Sequence, residues 1–452
     1  MARILCVNPW IVDFAAHNVW IEPLGLLTVA GILRAAGHDV ALLDCLDRHH
    51  PLAPAPYSER DRFGCGHFAK VELRKPPAIA HIPRHWGRYG LPLELVRHEL
   101  SAQARPDAVL VTSGMTYWYE GLRQAIDLVK QVWPTVPVAL GGIYATLCAE
   151  HARRTSGADA VLPGRGELSA LEWVNEVTGD RRAPRDAEAE ILPAHELRRP
   201  QGYITVQTAR GCPFRCPYCA SQLLEPAGFV RRSPQSVVRE IDQAVRALAV
   251  QDVAFYDDAL LYQAQHHIHR ILDGLLKAQV GVRLHSPNGL HARFVDLPLA
   301  QKMRHAGFVT IRLGLETIDP LQSRHDGDKV DQCIFARAVG SFLTAGFSAE
   351  QIGAYVLIAR PRQDVAAVRA TVRFAHSLGI TVLPAEYSPI PGTAEWREAV
   401  ELGYIAADAD PLLHSNHAYP CAHWQEWEDL KQEIRSGNHT LRANVDSPMS
   451  SP

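Results

Sequence analysis

Strands and helices alternate along most of this chain, in two separate runs. In residues 1–178, apolar segments at 3–10, 39–44, 107–113, 136–142 and 159–164 have the length and composition of buried strands. Helical periodicity lies between them. Residues 23–38 place Leu26, Val29 and Leu33 on one face, with Gly37 as the stop, and a second helix runs through Leu122, Ile126 and Val129. Strands that are apolar on both faces need helices on both sides, so this run predicts a Rossmann-like, doubly wound parallel sheet. Such a sheet binds ligands in the loops beyond its strands' carboxyl ends.

The second run spans residues 201–400 and holds six strands, at 203–209, 252–258, 282–287, 308–316, 352–359 and 381–389. Its clearest helix has Ser233 as cap and Pro234 in the first turn, and buries Val237, Ile241 and Leu248. Six βα units predict a partial (βα)6 barrel with its chemistry at the strands' carboxyl ends. The chain is thus of the α/β class. Residues 48–100 form an irregular insertion rich in Pro, His and Arg, read as an ordered excursion or a lid. The proline- and charge-rich residues 179–200 read as a linker. Residues 401–452 form an extension with one helix near Trp424–Ile434 and a disordered tail from Asn444.

Composition excludes several classes of function. A net charge of −3 over 452 residues lacks the basic footprint of a nucleic-acid binder. No apolar run approaches the roughly 18 residues of a membrane span, and the first residues lack the features of a signal peptide. A cytoplasmic protein with reduced thiols is expected. Cys6, Cys45, Cys65, Cys148, Cys333 and Cys421 are scattered and read as small buried hydrophobes. Asn438-His-Thr matches a glycosylation acceptor, a match without meaning absent secretion. The run His266-His-Ile-His269 reads as a solvated helix face.

Three cysteines do stand close together: Cys212, Cys216 and Cys219. A loop this short can turn three thiolates onto one metal centre. Structural zinc takes four protein ligands, and no fourth is evident nearby. Three thiolates on a four-iron cube leave one iron open to a substrate. The loop follows the first barrel strand, at the face where a barrel keeps its active site.

CxxxCxxC with an aromatic residue, here Tyr218, before the third cysteine resembles the signature of the radical S-adenosylmethionine (SAM) superfamily. The resemblance covers residues 200–400. It implies that Cys212, Cys216 and Cys219 ligate a [4Fe-4S] cluster whose fourth iron is chelated by SAM. Tyr218 would lie by the adenine, and SAM would be cleaved to a 5′-deoxyadenosyl radical. Asp257 and Asp258 end the second strand, where relatives bind the SAM amino group, and Asn288 ends the third. Arg312 and Glu316 lie on the fourth, where relatives carry GxES with the glutamate facing SAM. The fifth strand departs from the family, with Ala359-Arg-Pro-Arg-Gln363 in place of a GLPGQ-like turn.

The first domain resembles the cobalamin-binding domain of a large subclass of that superfamily. Pro23-Leu-Gly-Leu, Asp44, Ser113-Gly-Met-Thr116, Gly141-Gly142 and Gly164-Arg-Gly-Glu167 carry the likeness. It implies cobalamin contacts from Ser113, Thr116, Gly141, Gly142, Gly164 and Glu167. The DxHxxG motif that sets a histidine under cobalt is missing; the loop reads Asp13-Phe-Ala-Ala-His17, so His17 is not assigned as a ligand. The leading expectation is an enzyme that uses SAM and cobalamin to methylate an unactivated carbon. The alternatives are cobalamin-independent radical rearrangement or oxidation, and a non-catalytic iron–sulfur or zinc protein that binds a partner. The expected partners are a small-molecule or peptide substrate and an electron donor such as flavodoxin or ferredoxin, without membrane or nucleic acid.

Overall fold

The computed structural model describes residues 1–53, 61–184, 190–419 and 423–446. The first sheet is built from β1 (Arg3–Asn8), β2 (Asp39–Asp44), β3 (Ala108–Val111), β4 (Val138–Leu140) and β5 (Ala160–Val161). They are all parallel, in the order β5-β4-β3-β1-β2. Side chains alternate across β1. Leu5 and Val7 join one apolar core, Ile4 and Cys6 the other. Helices α1 (Leu24–Ala35) and α3 (Gly166–Thr178) cover one face, and α2 (Tyr119–Val132) covers the other. The order reverses between β1 and β3, which opens a crevice at their carboxyl ends.

The second sheet runs β6 (Tyr203–Val206), β7 (Asp252–Phe255), β8 (Arg283–His285), β9 (Phe308–Glu316), β10 (Ile352–Ile358) and β11 (Thr381–Glu386). Every neighbouring pair is parallel, and a short segment at Leu290–His291 pairs with β9. Helices α4 (Pro234–Leu248), α5 (Ile268–Lys277), α6 (Leu297–His305), α7 (Gln332–Thr344) and α8 (Val365–Ser377) pack outside it. Ser233 caps α4 by accepting from Ser236 N. Val237 and Ile241 are buried there, while Leu248 is only half-buried.

Since β6 is an edge, the barrel is open beside it, and the first domain fills the gap. The Glu22 carboxylate accepts from Thr205 N and from Thr205 Oγ1 at 2.7 Å. Trp20 enters the barrel interior with Tyr203 and Ala254. Its indole donates to Phe63 O at 2.9 Å, and Phe63 lies 4.9 Å from the His285 ring. The described part of the insertion is therefore ordered. Its strands Lys70–Glu72 and Gly87–Tyr89 form an antiparallel sheet with Ile11–Asp13.

The far edge, β11, is covered by α10 (Trp424–Asp446), which follows α9 (Ala394–Glu401). Helix α10 is longer than the stretch expected from sequence. Trp427, Leu430 and Ile434 dock on the barrel core, and no proline interrupts the turns that follow. Asn438 accepts from Val382 N at 2.9 Å and donates to Val382 O at 2.8 Å, so its amide pairs the exposed edge like a strand residue. This engagement accounts for Asn438. The tail reading falls largely on residues 447–452, and these, with Cys421, lie outside the described residues. No described helix is long and apolar enough to cross a membrane.

Candidate active site at the barrel mouth and the interdomain cavity

The cysteine loop leaves the barrel just beyond β6. Gly211, at φ 71°, precedes Cys212, and a Cβ there would stand 2.5 Å from Gly228 O, so only glycine fits. Cys212 is buried, Cys216 half-buried and Cys219 exposed, and all three are free thiols. Cys219 N donates to Cys216 O at 3.1 Å, and Gln222 Nε2 donates to Cys212 O at 2.5 Å. Burial, followed by neighbouring charge from Asp258 and the other cysteines, pushes the Cys212 thiol up to about 11.

The strand end beneath this loop is held from two sides. Asp257 is buried, and its carboxylate accepts from Thr208 N, Thr208 Oγ1 and Ala209 N at 2.7–3.1 Å. Burial raises it to about 6. Oδ1 accepts from all three donors, and Oδ2 shares the Thr208 amide at 3.0 Å. On the opposite side His267 Nε2 lies 3.0 Å from Thr208 Oγ1. His267 and His269 are buried, unlike the solvated face expected from sequence, because the run crosses from a turn into the inner side of α5. Burial lowers His267 to about 4, so it is neutral at pH 7.

The remaining sequence candidates separate. Asp258 is exposed and accepts from Ser221 Oγ at 2.6 Å. Asn288 Nδ2 donates to Tyr256 O at 3.0 Å. Arg312 lies low in the barrel, where its guanidinium donates to Gln351 O at 3.3 Å, ahead of β10; it faces away from the mouth. Glu316 ends β9 at the mouth, in a left-handed conformation with φ 61° that a non-glycine residue adopts only under strain. Burial raises its carboxyl, against the opposing charge of Lys329.

Tyr218 meets Glu316 there, among charges not foreseen from sequence. Lys329 Nζ donates to the Tyr218 hydroxyl at 2.8 Å and lies 4.0 Å from Glu316 Oε1. Burial alone would lower the Lys329 ammonium, but Glu316 and then Cys216 outweigh it and hold it above its ordinary value. Arg360 lies 4.9 Å from the Tyr218 ring centre. It donates to both oxygens of Asp326, at 2.6 and 2.7 Å, and to Glu395 at 2.9 Å. Arg360 belongs to the divergent turn after β10, where Ala359 also has positive φ.

A cavity of about 840 Å³ opens at the carboxyl edge of the first sheet and continues to the barrel. Ser113, Gly141, Gly142, Gly164 and Glu167 line it. Thr116 does not; it is buried, with His414 Nδ1 3.1 Å from its hydroxyl. Gly142 has φ 93°, and a Cβ would stand 2.5 Å from Ser113 O. The barrel supplies Gln207, Arg210, Glu225 and Tyr256 to the same cavity. Arg210 pairs with Glu167, and Arg165 lies 3.8 Å from Glu225, so ion pairs join the domains along the rim. His17 pairs with His67 on a surface ladder and does not line the cavity.

The family model of the B12 binding domain matches residues 97–172, and that of the Radical SAM superfamily matches residues 206–392. The chain belongs to the radical SAM superfamily, in the subclass with a cobalamin-binding domain. This radical SAM chain is 24% identical over 328 residues to an uncharacterized methyltransferase of Pyrococcus horikoshii, covering 65% of this chain and 70% of the relative. It is 21% identical over 474 residues to cytidylyl-2-hydroxyethylphosphonate methyltransferase of Streptomyces wedmorensis, covering 89% and 82%. Its fold is similar to that of TsrM, a radical SAM methyltransferase of Kitasatospora setae solved with tryptophan substrate and a SAM analogue. The TM-score is 0.67 at 15% identity, over 97% of this chain and 89% of that one.

The radical SAM domain implies a [4Fe-4S] cluster and SAM, and the B12 binding domain implies cobalamin. The residues present fit these groups. Sulfurs around one zinc, at bonds of about 2.3 Å, would stand roughly 3.8 Å apart. Among the described residues, the group whose ligand atoms all lie within 4.8 Å is His325, Asp326 and Glu395, not the three cysteines. Three free thiols on one eight-residue loop match the thiolate ligation of an iron–sulfur cluster. The interdomain cavity lies where a doubly wound sheet binds its ligand, near the upper end of ligand-pocket volumes.

Proposed function

We propose that this radical SAM protein methylates an unactivated carbon of a small-molecule or peptide substrate, using cobalamin and taking electrons from a flavodoxin- or ferredoxin-like donor in the cytoplasm. The observation that carries the reading is the shared wall: Arg210, Leu224 and Glu225 line the cavity and flank the cysteine loop in sequence. A group in the cavity and a group on the loop would therefore face one substrate. When bound, the cluster supplies one-electron cleavage of SAM, and cobalamin supplies methyl transfer.

The chain's own residues hold and orient. Cys212, Cys216 and Cys219 would hold the cluster through three thiolates. Asp257 and His267 fix the strand end that carries the loop. Glu316, with Lys329 4.0 Å away, offers paired charges to the amino-acid end of SAM, and Tyr218 borders the adenine side. Ser113, Gly141, Gly142 and Gly164 line the slot for the corrin ring, and Trp20 excludes water from the barrel below. The domains are proposed to run 1–178, 201–400 and 401–452, with 179–200 between the first two.

Reduced protein given SAM should release 5′-deoxyadenosine. With the true substrate, S-adenosylhomocysteine and 5′-deoxyadenosine should appear in roughly equal amounts per methylated product, as expected when one SAM donates methyl and a second is cleaved. Turnover yielding deoxyadenosine but neither homocysteine product nor methylated substrate would replace methyl transfer with rearrangement or oxidation.

A further inference from the structure

Lys329 sits on the loop between the short helix Pro320–His325 and α7. Nothing in the cysteine motif points to it, yet its ammonium bonds a residue of the motif. Its ammonium donates at 2.8 Å to the hydroxyl of Tyr218, which lies between Cys216 and Cys219 in the motif. Its side chain is 15% exposed, so water screens it little.

Two features hold that charge in place. Arg293 Nε donates to Lys329 O at 2.6 Å, and the same guanidinium donates to Asp328 O. Asp328 has φ 48°, so the loop bends sharply just before the lysine. The second feature is balance. Arg360, the other cation at Tyr218, is matched by two carboxylates within 3 Å. Among the described residues, the carboxylate paired with Lys329 is Glu316, at 4.0 Å. Arg360 is thus locally neutralised and Lys329 is not.

We infer that Lys329 is a positioning residue that fixes a weakly compensated positive charge against the cysteine loop and thereby makes the cluster easier to reduce. The inference rests on the cluster reading above. Reduction adds one electron to the cluster and removes one from the donor. A cation held at short range in a poorly solvated site favours the more negative product.

Lys329→Gln and Lys329→Arg proteins should be reconstituted anaerobically without SAM, their iron counted, and the cluster titrated potentiometrically by electron paramagnetic resonance. At equal iron content, Lys329→Gln should lower the equilibrium constant for reduction about tenfold, a shift of about 59 mV to more negative potential for a one-electron couple. Lys329→Arg should stay near the parent value. A Lys329→Gln cluster titrating with the parent overturns the inference. If only the cationic variants assemble a cluster, the charge is needed still more strongly, and the inference stands. If neither variant assembles one, side-chain shape decides and the inference falls. A parent without a four-iron cluster would instead defeat the cluster reading, and the iron count separates the two failures.

Discussion

Trp20 of the first domain lies over the His285 imidazole inside the barrel, their ring centres 4.5 Å apart at 33°. The two domains therefore share an interior. His285 in turn meets Asp252 at 2.9 Å and Thr310 at 2.9 Å, so the indole closes a polar layer against water.

Trp20→Ala should lower the stability of the whole chain, not of the first domain alone. Deleting a buried tryptophan typically costs about 3–5 kcal/mol. Thermal melts followed by fluorescence and by cluster absorbance should shift together. Independent transitions, with the cluster-bearing part unmoved, would show that the indole is dispensable to the barrel.

His195 should make stability depend on alkaline pH. Its ring stands between two buried carboxylates, with Nδ1 3.0 Å from Glu22 and Nε2 2.9 Å from Glu240. Burial would lower it, but Glu22 and then Glu240 raise it to about 10. A raised histidine adds stability fully below its unfolded pKa, about 6.5, and that stability is lost as pH rises through about 10. The melting temperature of the parent should fall over this window relative to His195→Gln, by at most about 1.4 kcal/mol of stability per pH unit. Parallel curves would rule the effect out.

Changing Cys212, Cys216 and Cys219 together to Ala should remove all cluster iron from anaerobically reconstituted protein. The parent should hold about four irons, by the ligation such clusters require. A triple variant with full iron content would mean that other ligands hold the cluster.

Gly142→Ala should weaken corrinoid retention and leave iron content unchanged. The added Cβ meets Ser113 O at 2.5 Å and cannot be relieved at φ 93° without moving the β3–β4 end of the cavity. Protein given hydroxocobalamin and desalted should keep less corrinoid than the parent, by visible absorbance. Equal retention would place the ring elsewhere.

Local patterns alone determined much of this molecule. Both sheets follow from apolar runs short enough for strands and bounded by helical periodicity, because a strand buried on both faces has one way to be covered. The cysteine loop was legible because its three thiols are close in sequence, and Gly141, Gly142 and Gly164, which line the cavity, because glycines at strand ends stand out locally. Partnerships across long separations were decided only by the tertiary structure. Asp257 turned inward because two backbone amides and a hydroxyl await it there. Arg312, four residues before Glu316 on the same strand, bonds the barrel floor instead of the mouth. Lys329 lies 111 residues from Tyr218, and Glu22 lies 173 from His195. Nothing in local periodicity or spacing encodes such pairings. They follow from which surfaces meet when an open barrel edge is closed by the domain before it.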